Sequence, residues 1–566
     1  MSKPAAEPVL PFSQSFRGRV VLGLATVAML SLSYAPLKQF YFAWVALVPW
    51  LIVVAGARTK KAAFFWSWLT GIVFFSVNLW WIGYVTIPGA IALMFYMGLW
   101  FALVSLVLRG AGLLAPVGKV SLILSIFLIP AVWVSTEWTW GNLFSGLPWL
   151  YIGHTQTPIL AMCQIADFAS AYGVSFWVVM INAWIALLIV QPPEQRRRLI
   201  PSAVVVLLIL GATLGYGLFR MGQKTFYAGP LVVVVQPNIP QDNSGAKGAT
   251  SDERLAFHIK TTRDAIQQLS AKGETPDLVA WSETMMPELN EIYRQYMHEF
   301  ITKEDKRNVG EMLDSIYEQL SALARTYHTN LLVGAQTMLA DRPVNGKPVW
   351  DRRNSAYLFD RSGRESTLRY DKVHLVPFGE FIPFRESFPP LYKFFNLFNP
   401  YGAEDYTVQP GSELTVFPLE PGGYRFVTAI CFEDVDATLM ARNFAGPGGT
   451  KRADFIVNLT NDGWFATPQM QQHLQLSVFR CIENRVPTAR SVNTGISGFI
   501  DSVGRVHDTT PVHTEGARAA RLELDHRVAP YTHLGDVFAG ICLAAAGGTI
   551  LLGVWNGMKN RRLARR

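Results

Sequence analysis

Hydrophobic positions along the chain follow two regimes. Up to about residue 219, and again beyond about residue 535, they form long apolar runs; between those limits they come in short runs broken by polar segments. Runs of roughly 17–25 apolar residues match the hydrocarbon thickness of a bilayer. About eight transmembrane helices are predicted on this basis, near 18–35, 39–57, 62–84, 88–108, 117–136, 170–190, 199–219 and 535–556. The first two are joined tightly at Pro36 to Lys38. The first is expected to stay on the protein, because no small-residue cleavage site follows it and further spans come after. These spans carry almost no acidic groups, with Asp167 and Asp536 near their ends, which argues against a charged transport path.

The middle segment alternates strand and helix patterns. Leu231 to Gln236, Leu278 to Glu283, Leu331 to Ala335, Asn354 to Asp360, Val427 to Ile430, Ala453 to Asn458 and Thr488 to Val492 read as strands, and Gly498 to Gly504 as a closing hairpin. Helices are predicted over about 251–270, 310–327 and 468–485. Alternation of this kind predicts a layered α/β sandwich with buried sheets. The stretch Asp242 to Asp252, rich in Gly, Ser and Ala, reads as a mobile loop. Three regions follow: a transmembrane bundle of about seven helices over 1–219, an α/β domain over 220–534, and a closing span with a basic tail over 535–566.

Charge orients the spans. One set of alternate loops holds Arg17 and Arg19, then Arg58, Lys60 and Lys61, then Arg109 and Lys119, then Arg196, Arg197 and Arg198; the tail adds Lys559, Arg561, Arg562, Arg565 and Arg566. The other set holds little beyond Lys38. The positive-inside rule places the first set in the cytoplasm, so both termini are expected inside and 220–534 outside. Residues 1–219 and 535–566 together hold 17 Lys/Arg and 5 Asp/Glu, which leaves 33 and 37 for the middle segment out of totals of 50 and 42. The net charge of +8 is therefore an insertion signal carried by the membrane part, and nucleic-acid binding is not expected. Composition agrees: half the residues are hydrophobic, mean hydropathy is +0.21, and 16% are charged, against about a quarter in soluble domains.

There are four cysteines. Cys163 and Cys542 fall in or beside apolar spans, and Cys481 lies near the apolar stripe of a helical pattern, so disulfides are not expected. No paired Cys/His spacing suits a metal, and none is predicted.

Candidate chemistry concentrates at three places. Val427-Thr428-Ala429-Ile430-Cys431-Phe432-Glu433 is a β-branched, apolar run that delivers a cysteine to the rim of a sheet. Leu278-Val279-Ala280-Trp281-Ser282-Glu283 ends in a carboxylate in the same way. Tyr370 to Glu380 sets Lys372 and Glu380 in an otherwise apolar loop. A thiol with an ordinary pKa near about 8.5 needs a base. Glu283 behind its apolar approach is the expected one, because burial raises a carboxyl toward neutrality. Lys372 is the expected stabiliser of a tetrahedral oxyanion, with the Phe432 N–H as second donor. Glu380 is expected to hold Lys372 or Glu283, with Glu433 as a further supporting residue.

Glu283, Lys372 and Cys431, in that order at strand ends, resemble the constellation of the carbon–nitrogen hydrolase (nitrilase) superfamily. The whole chain resembles one membrane branch of it, the bacterial apolipoprotein N-acyltransferases. Gly146-Leu147-Pro148-Trp149, the loop from Lys372 to Glu380, Asn461-Asp462-Gly463-Trp464-Phe465, Gln472-His473-Leu474-Gln475 and Asn493-Thr494-Gly495-Ile496-Ser497 carry the likeness. Departures are the absence of tryptophan between Gln241 and Asp252, Phe432 where Tyr is usual, Ser282 where Pro is usual, and Trp140 where Arg often stands.

The resemblance implies a polytopic helical membrane bundle of about eight spans plus a nitrilase-type αββα sandwich. It implies an inner-membrane enzyme, active as a monomer and without cofactor, whose catalytic domain faces the periplasm. Its substrates would be a phospholipid acyl donor and a diacylglyceryl-apolipoprotein acceptor. Trp281, Phe381, Phe384, Asn461 and Trp464 are expected to line the substrate path. The apolar run Leu391 to Phe398, with Phe381 and Phe384, fits lipid contact. The alternative is a membrane-tethered amidase or nitrilase acting on a small C–N substrate, for which such an apolar entrance serves no purpose.

Overall fold

The computed structural model describes residues 11–114, 122–241, 248–300, 308–340, 348–399 and 406–564. Lys119, Arg565, Arg566 and residues 242–247 of the predicted mobile loop lie outside them. The chain forms two compact units. One comprises Met1–Gly83, Ile87–Gln223 and Leu534–Arg566; the other comprises Tyr84–Thr86 and Lys224–His533.

In the first unit, seven helices among the described residues are long and apolar enough to cross a membrane. Their helical cores are α1 (Phe16–Ser33), α2 (Lys60–Leu79), α3 (Ile87–Ala111), α4 (Leu122–Asn142), α5 (Ala166–Val190), α6 (Ser202–Gly222) and, closing the chain, Val537–Ala564. The span predicted at 39–57 is instead a shorter, broken helix over Phe40–Gly56. Pro49 cannot donate to the helix ladder, and its ring crowds the carbonyl four residues back.

The break is mended from α5. Leu47 N donates to Asn182 Oδ1 at 2.8 Å, and Asn182 Nδ2 donates to Ala43 O at 2.8 Å. One side-chain amide thus replaces both halves of a lost backbone bond. The broken helix still returns the full length of α1: Arg58 Nε lies 3.4 Å from Gln14 Oε1, and Arg109 Nη1 donates to Ala55 O at 3.2 Å. The basic residues at 17–19, 58–61 and 109 therefore gather at one end of this unit.

The expectation of nearly acid-free spans needs one correction. Helix α4 runs on to Asn142 and takes Glu137 inside, fully buried. Its Oε1 accepts from Trp133 Nε1 and from Ile152 N, both at 2.8 Å, and so pins the segment after the helix. Asp167, near the start of α5, is neutralised by Arg220 at 2.8 Å.

The second unit is built on two six-stranded sheets. The first has the order β12-β1-β2-β3-β4-β5, with β1 (Phe226–Gln236), β2 (Leu278–Glu288), β3 (Asn330–Ala340), β4 (Trp350–Phe359), β5 (Glu365–Asp371) and β12 (Gly516–Asp525). The second has the order β11-β10-β9-β8-β7-β6, with β6 (Val416–Leu419), β7 (Tyr424–Ile430), β8 (Phe455–Thr460), β9 (Thr488–Val492), β10 (Gly498–Ile500) and β11 (Val506–His507). The central pairs β1–β2, β2–β3, β7–β8 and β8–β9 are parallel.

Strand alternation sorts the layers. Val232, Val234, Leu278, Ala280 and Leu332 meet Phe426, Ile430, Val457, Leu459 and Ala489 between the sheets. Val233, Val235, Val279, Trp281 and Val333 face the other way, against Leu255, Ile266, Ile316 and Leu320 of the helices α7 (Ser251–Ser270) and α8 (Val309–Tyr327). Val427, Ala429 and Ile456 pack on Met440 and Phe444 of α9 (Ala437–Phe444). The result is an αββα sandwich.

Asn182→Leu keeps the side-chain shape but removes the donor to the Ala43 C=O and leaves the Leu47 N–H only its bond to Val45 O. A loss of about 1–3 kcal/mol is expected, the cost of a buried unpaired group, read as a lower thermal midpoint of the detergent-solubilised protein.

Candidate active site

Strand β2 does not keep its alternation. Its pairing with β3 shifts after Trp281, and Thr284 takes φ +55°. Strict alternation would send Glu283 to the helix side with Trp281; the bulge turns it to the inter-sheet side. Position 334 on β3 must be glycine here, because a Cβ would lie 2.4 Å from Ser282 O and 2.8 Å from Glu283 Cα. Strand β7 ends at Ile430, and Cys431 opens a 3-10 turn with φ +52°. An L-residue pays strain there, and the turn lifts the thiol off the end of the sheet. Lys372 follows directly on β5.

The three side chains converge. Lys372 Nζ lies 3.4 Å from Glu283 Oε1 and 2.9 Å from the Glu380 carboxylate. Lys372 is 1% and Glu283 6% exposed. The Cys431 thiol lies close enough to both groups for Glu283 and Lys372 to act on its ionisation. Each carboxylate is held by further donors. Asn354 Nδ2 donates to Glu283 Oε1 at 2.7 Å and reaches Glu380 Oε1 at 3.3 Å. Asn461 N donates to Glu283 Oε2 at 2.9 Å, and Val376 N to Glu380 Oε2 at 2.7 Å.

Electrostatics follow from this burial. Burial raises the Glu283 pKa above the ordinary carboxyl value; Lys372 opposes the rise and Glu380 adds to it. Burial also pushes the Cys431 thiol well up, with Glu283 adding and Lys372 opposing. Burial alone would discharge Lys372, but Glu380 and then Glu283 outweigh it and hold its pKa above the ordinary lysine value. The cluster is therefore an ammonium, a carboxyl poised to take a proton, and a thiol that needs one removed.

Glu433 acts on the backbone. Its Oε1 accepts from Tyr370 Oη at 2.7 Å, Val373 N at 2.7 Å and His374 N at 3.1 Å; its Oε2 accepts from Ile430 N at 2.7 Å. It ties the lysine loop to the strand that ends before Cys431. Phe432 is buried and packs edge-on against His374 at 5.5 Å.

Among the residues expected on the substrate path, Trp281 is corrected. It is fully buried on the helix side, donating to Thr262 Oγ1 at 3.0 Å and lying against His258. Asn461 is also buried; its main chain orients Glu283, and its Oδ1 accepts from Asn493 Nδ2 at 2.9 Å. Phe381, Phe384 and Trp464 are half-buried, Phe384 stacking on Phe395 at 5.9 Å. Phe388, Phe394 and Leu397 are exposed, at 53%, 53% and 77%. Asn354 was not foreseen, because a single asparagine within a strand carries no sequence signal. Cys481 is a core residue against Thr488, its thiol pushed up to about 12 by burial. All four cysteines are free, and no cluster among the described residues suits a metal.

Residues 27–184 match the apolipoprotein N-acyltransferase N-terminal domain, and residues 232–527 match the carbon-nitrogen hydrolase family. The apolipoprotein N-acyltransferase of Geobacter metallireducens is 29% identical over 542 residues, 93% of each chain. That of Chlorobaculum tepidum is 27% identical over 551 residues, 95% of each chain. An amidase structure from Nesterenkonia sp. aligns with a TM-score of 0.34 at 17% identity, over 54% of this chain and 94% of its own.

Asn354→Leu removes a donor to the charged form of Glu283, so the carboxyl pKa moves further up. The acid limb of Cys431 alkylation by iodoacetamide is expected to shift about one to two units toward higher pH, as befits one hydrogen bond to a charged group. An unmoved limb would separate Asn354 from the site.

Proposed function

This chain belongs to the carbon–nitrogen hydrolase family and carries the N-terminal domain of apolipoprotein N-acyltransferases, and on that footing we propose how it moves a fatty acyl chain. The chain would pass from a phospholipid, through a thioester on Cys431, to the α-amine of an N-terminal diacylglyceryl-cysteine. The observation that supports this most is the meeting of Glu283 at the β2 bulge, Lys372 directly after β5 and Cys431 directly after β7, with the buried Lys372 ammonium bonded to the Glu283 and Glu380 carboxylates.

In the first half, Glu283 takes the thiol proton as Sγ attacks the ester carbonyl carbon. Negative charge builds on the carbonyl oxygen, where the Lys372 ammonium is available to meet it. Collapse breaks the ester C–O bond, Glu283 returns the proton to the leaving alkoxide, and a lysophospholipid departs. In the second half, the amine attacks the thioester, Glu283 takes the proton the nitrogen loses, and the thiolate leaves and is reprotonated. One ester bond is exchanged for one amide bond, with no net proton change.

The acceptor must be an amine rather than water, and the enclosure of Glu283 and Lys372 limits hydrolysis. Exposed Phe388, Phe394 and Leu397 beyond Glu380 favour a lipid donor over the small C–N substrate of an amidase. Every named group comes from one chain, so a monomer suffices. The basic loops at one end of the multi-pass unit support cytoplasmic termini and a catalytic unit on the periplasmic side.

Glu283→Gln and Lys372→Met separate the roles. Each should slow single-turnover acylation, by about a hundred- to ten-thousandfold for the base and about a hundred- to a thousandfold for the oxyanion donor. Rising pH supplies thiolate without a base, so Glu283→Gln should recover in part. Because burial has pushed the thiol above its free value, that recovery should still be climbing as pH passes the free-thiol value of about 8.5. Lys372→Met should stay flat. Rescue of the lysine variant instead would reverse the assignment.

A further inference from the structure

His473 is buried on α10 (Thr467–Asn484), within a motif the transfer mechanism leaves unused. Both of its ring nitrogens meet carboxylates: Nε2 lies 2.6 Å from Asp434 Oδ1, and Nδ1 lies 3.1 Å from Asp462 Oδ1. A neutral imidazole can donate from one nitrogen only, so this arrangement calls for the imidazolium. The two carboxylates belong to two different turns. Asp434 stands three residues after Cys431, in the turn that presents the thiol. Asp462 directly follows Asn461, whose N–H aims Glu283.

We propose that His473, as an imidazolium, is a positioning residue for acyl transfer that locks the nucleophile turn to the turn orienting the base. It rests on the transfer reading above and touches no substrate.

The charged groups around the ring account for its state. Asp434 faces it from the nucleophile turn and Asp462 from the next turn. Arg490 of β9 reaches Asp434 Oδ2 at 2.5 Å. On its own helix, Ser477 Oγ donates to Asp434 Oδ2 at 2.6 Å, Gln469 Nε2 donates to Asp462 Oδ1 at 3.2 Å, and Arg480 is taken up by Glu483 at 2.8 Å. Two carboxylates are thus balanced by Arg490 and the imidazolium. Burial would lower the His473 pKa, but Asp434 and Asp462 outweigh it and raise it to about 9. The sign is that of a folded-state pKa above the ordinary value: the lock is complete at neutral pH and is lost as pH rises through about 9. Once the ring is neutral, one nitrogen opposes a carboxylate lone pair to lone pair. The uncompensated Asp462 charge, which already raises the Cys431 pKa, then opposes thiolate formation more strongly.

The test is the pH profile of single-turnover acylation and, separately, of Cys431 alkylation by iodoacetamide, both on the full-length protein in detergent. The wild type should lose rate above about pH 9, following its histidine. Asp462→Asn removes one of the charges holding the proton and offers a side-chain amide that can donate to a neutral Nδ1, so the alkaline limb should be lost. His473→Gln should be about ten- to a hundredfold slower with the KM for phospholipid unchanged and no such limb. A merely structural histidine would give an unmoved limb in Asp462→Asn, and that result overturns the proposal, as does a His473→Gln variant with wild-type rates. The Asp462→Asn comparison stands even where His473→Gln does not fold. An alkaline limb in wild-type alkylation that Asp462→Asn removes, with no acyl adduct on wild-type Cys431, would keep the lock and reject the transfer reading.

Discussion

One constraint governs the catalytic unit: an ammonium buried to 1% exposure between two carboxylates. A charge so enclosed is tolerated only when it is paired and its partners are themselves hydrogen-bonded. The surrounding residues answer that demand. Asn354 bridges Glu283 and Glu380, Asn461 N and Val376 N cap the outer oxygens, and Glu433 fastens the lysine loop to the Cys431 strand. Two carboxylates facing one lysine also leave Glu283 poised, because Glu380 takes the shorter contact with the cation. The same packing that satisfies the charges raises the Glu283 pKa above the ordinary carboxyl value, as the base role proposed for it requires.

The membrane unit obeys the same rule in a different solvent. With no water to satisfy a broken helix, Asn182 supplies both a donor and an acceptor at Leu47 and Ala43. Glu137 spends one oxygen on Trp133 and Ile152, and Asp167 is answered by Arg220. Polar groups inside these helices thus organise loops rather than line a path.

The broad architecture was legible because burial writes itself into the chain. The Val232–Val235 run and the β-branched approach to Cys431 are what strands buried on both faces look like. The long apolar runs gave the spans by length alone, apart from Phe40–Gly56, where Pro49 shortens the helix. Strand β12, Gly516–Asp525, escaped detection because it sits at a sheet edge and sets Arg518, Arg521 and Glu523 among alanines and leucines, leaving those three exposed and only Leu522, Leu524 and Asp525 buried. Strand β5 likewise has a single fully buried residue, Tyr370. At the site, Glu283, Lys372 and Cys431 stood out as chemistry at strand ends. Trp281 was misplaced because the bulge after it breaks the period-two rule, and no residue type announces a bulge. Asn354 and the Asp434–His473–Asp462 chain were illegible, since their meaning lies in contacts between residues far apart in sequence.

The central claim is that Cys431 carries the acyl group between two substrates. Intact and peptide mass spectrometry of the purified protein, incubated with a phospholipid of one defined acyl chain, tests it most directly. A single added acyl chain on Cys431 is expected. That adduct should vanish on addition of a diacylglyceryl-cysteine peptide, whose own mass rises by the same acyl group. No adduct, an adduct on Cys481, or discharge only as free fatty acid would contradict it.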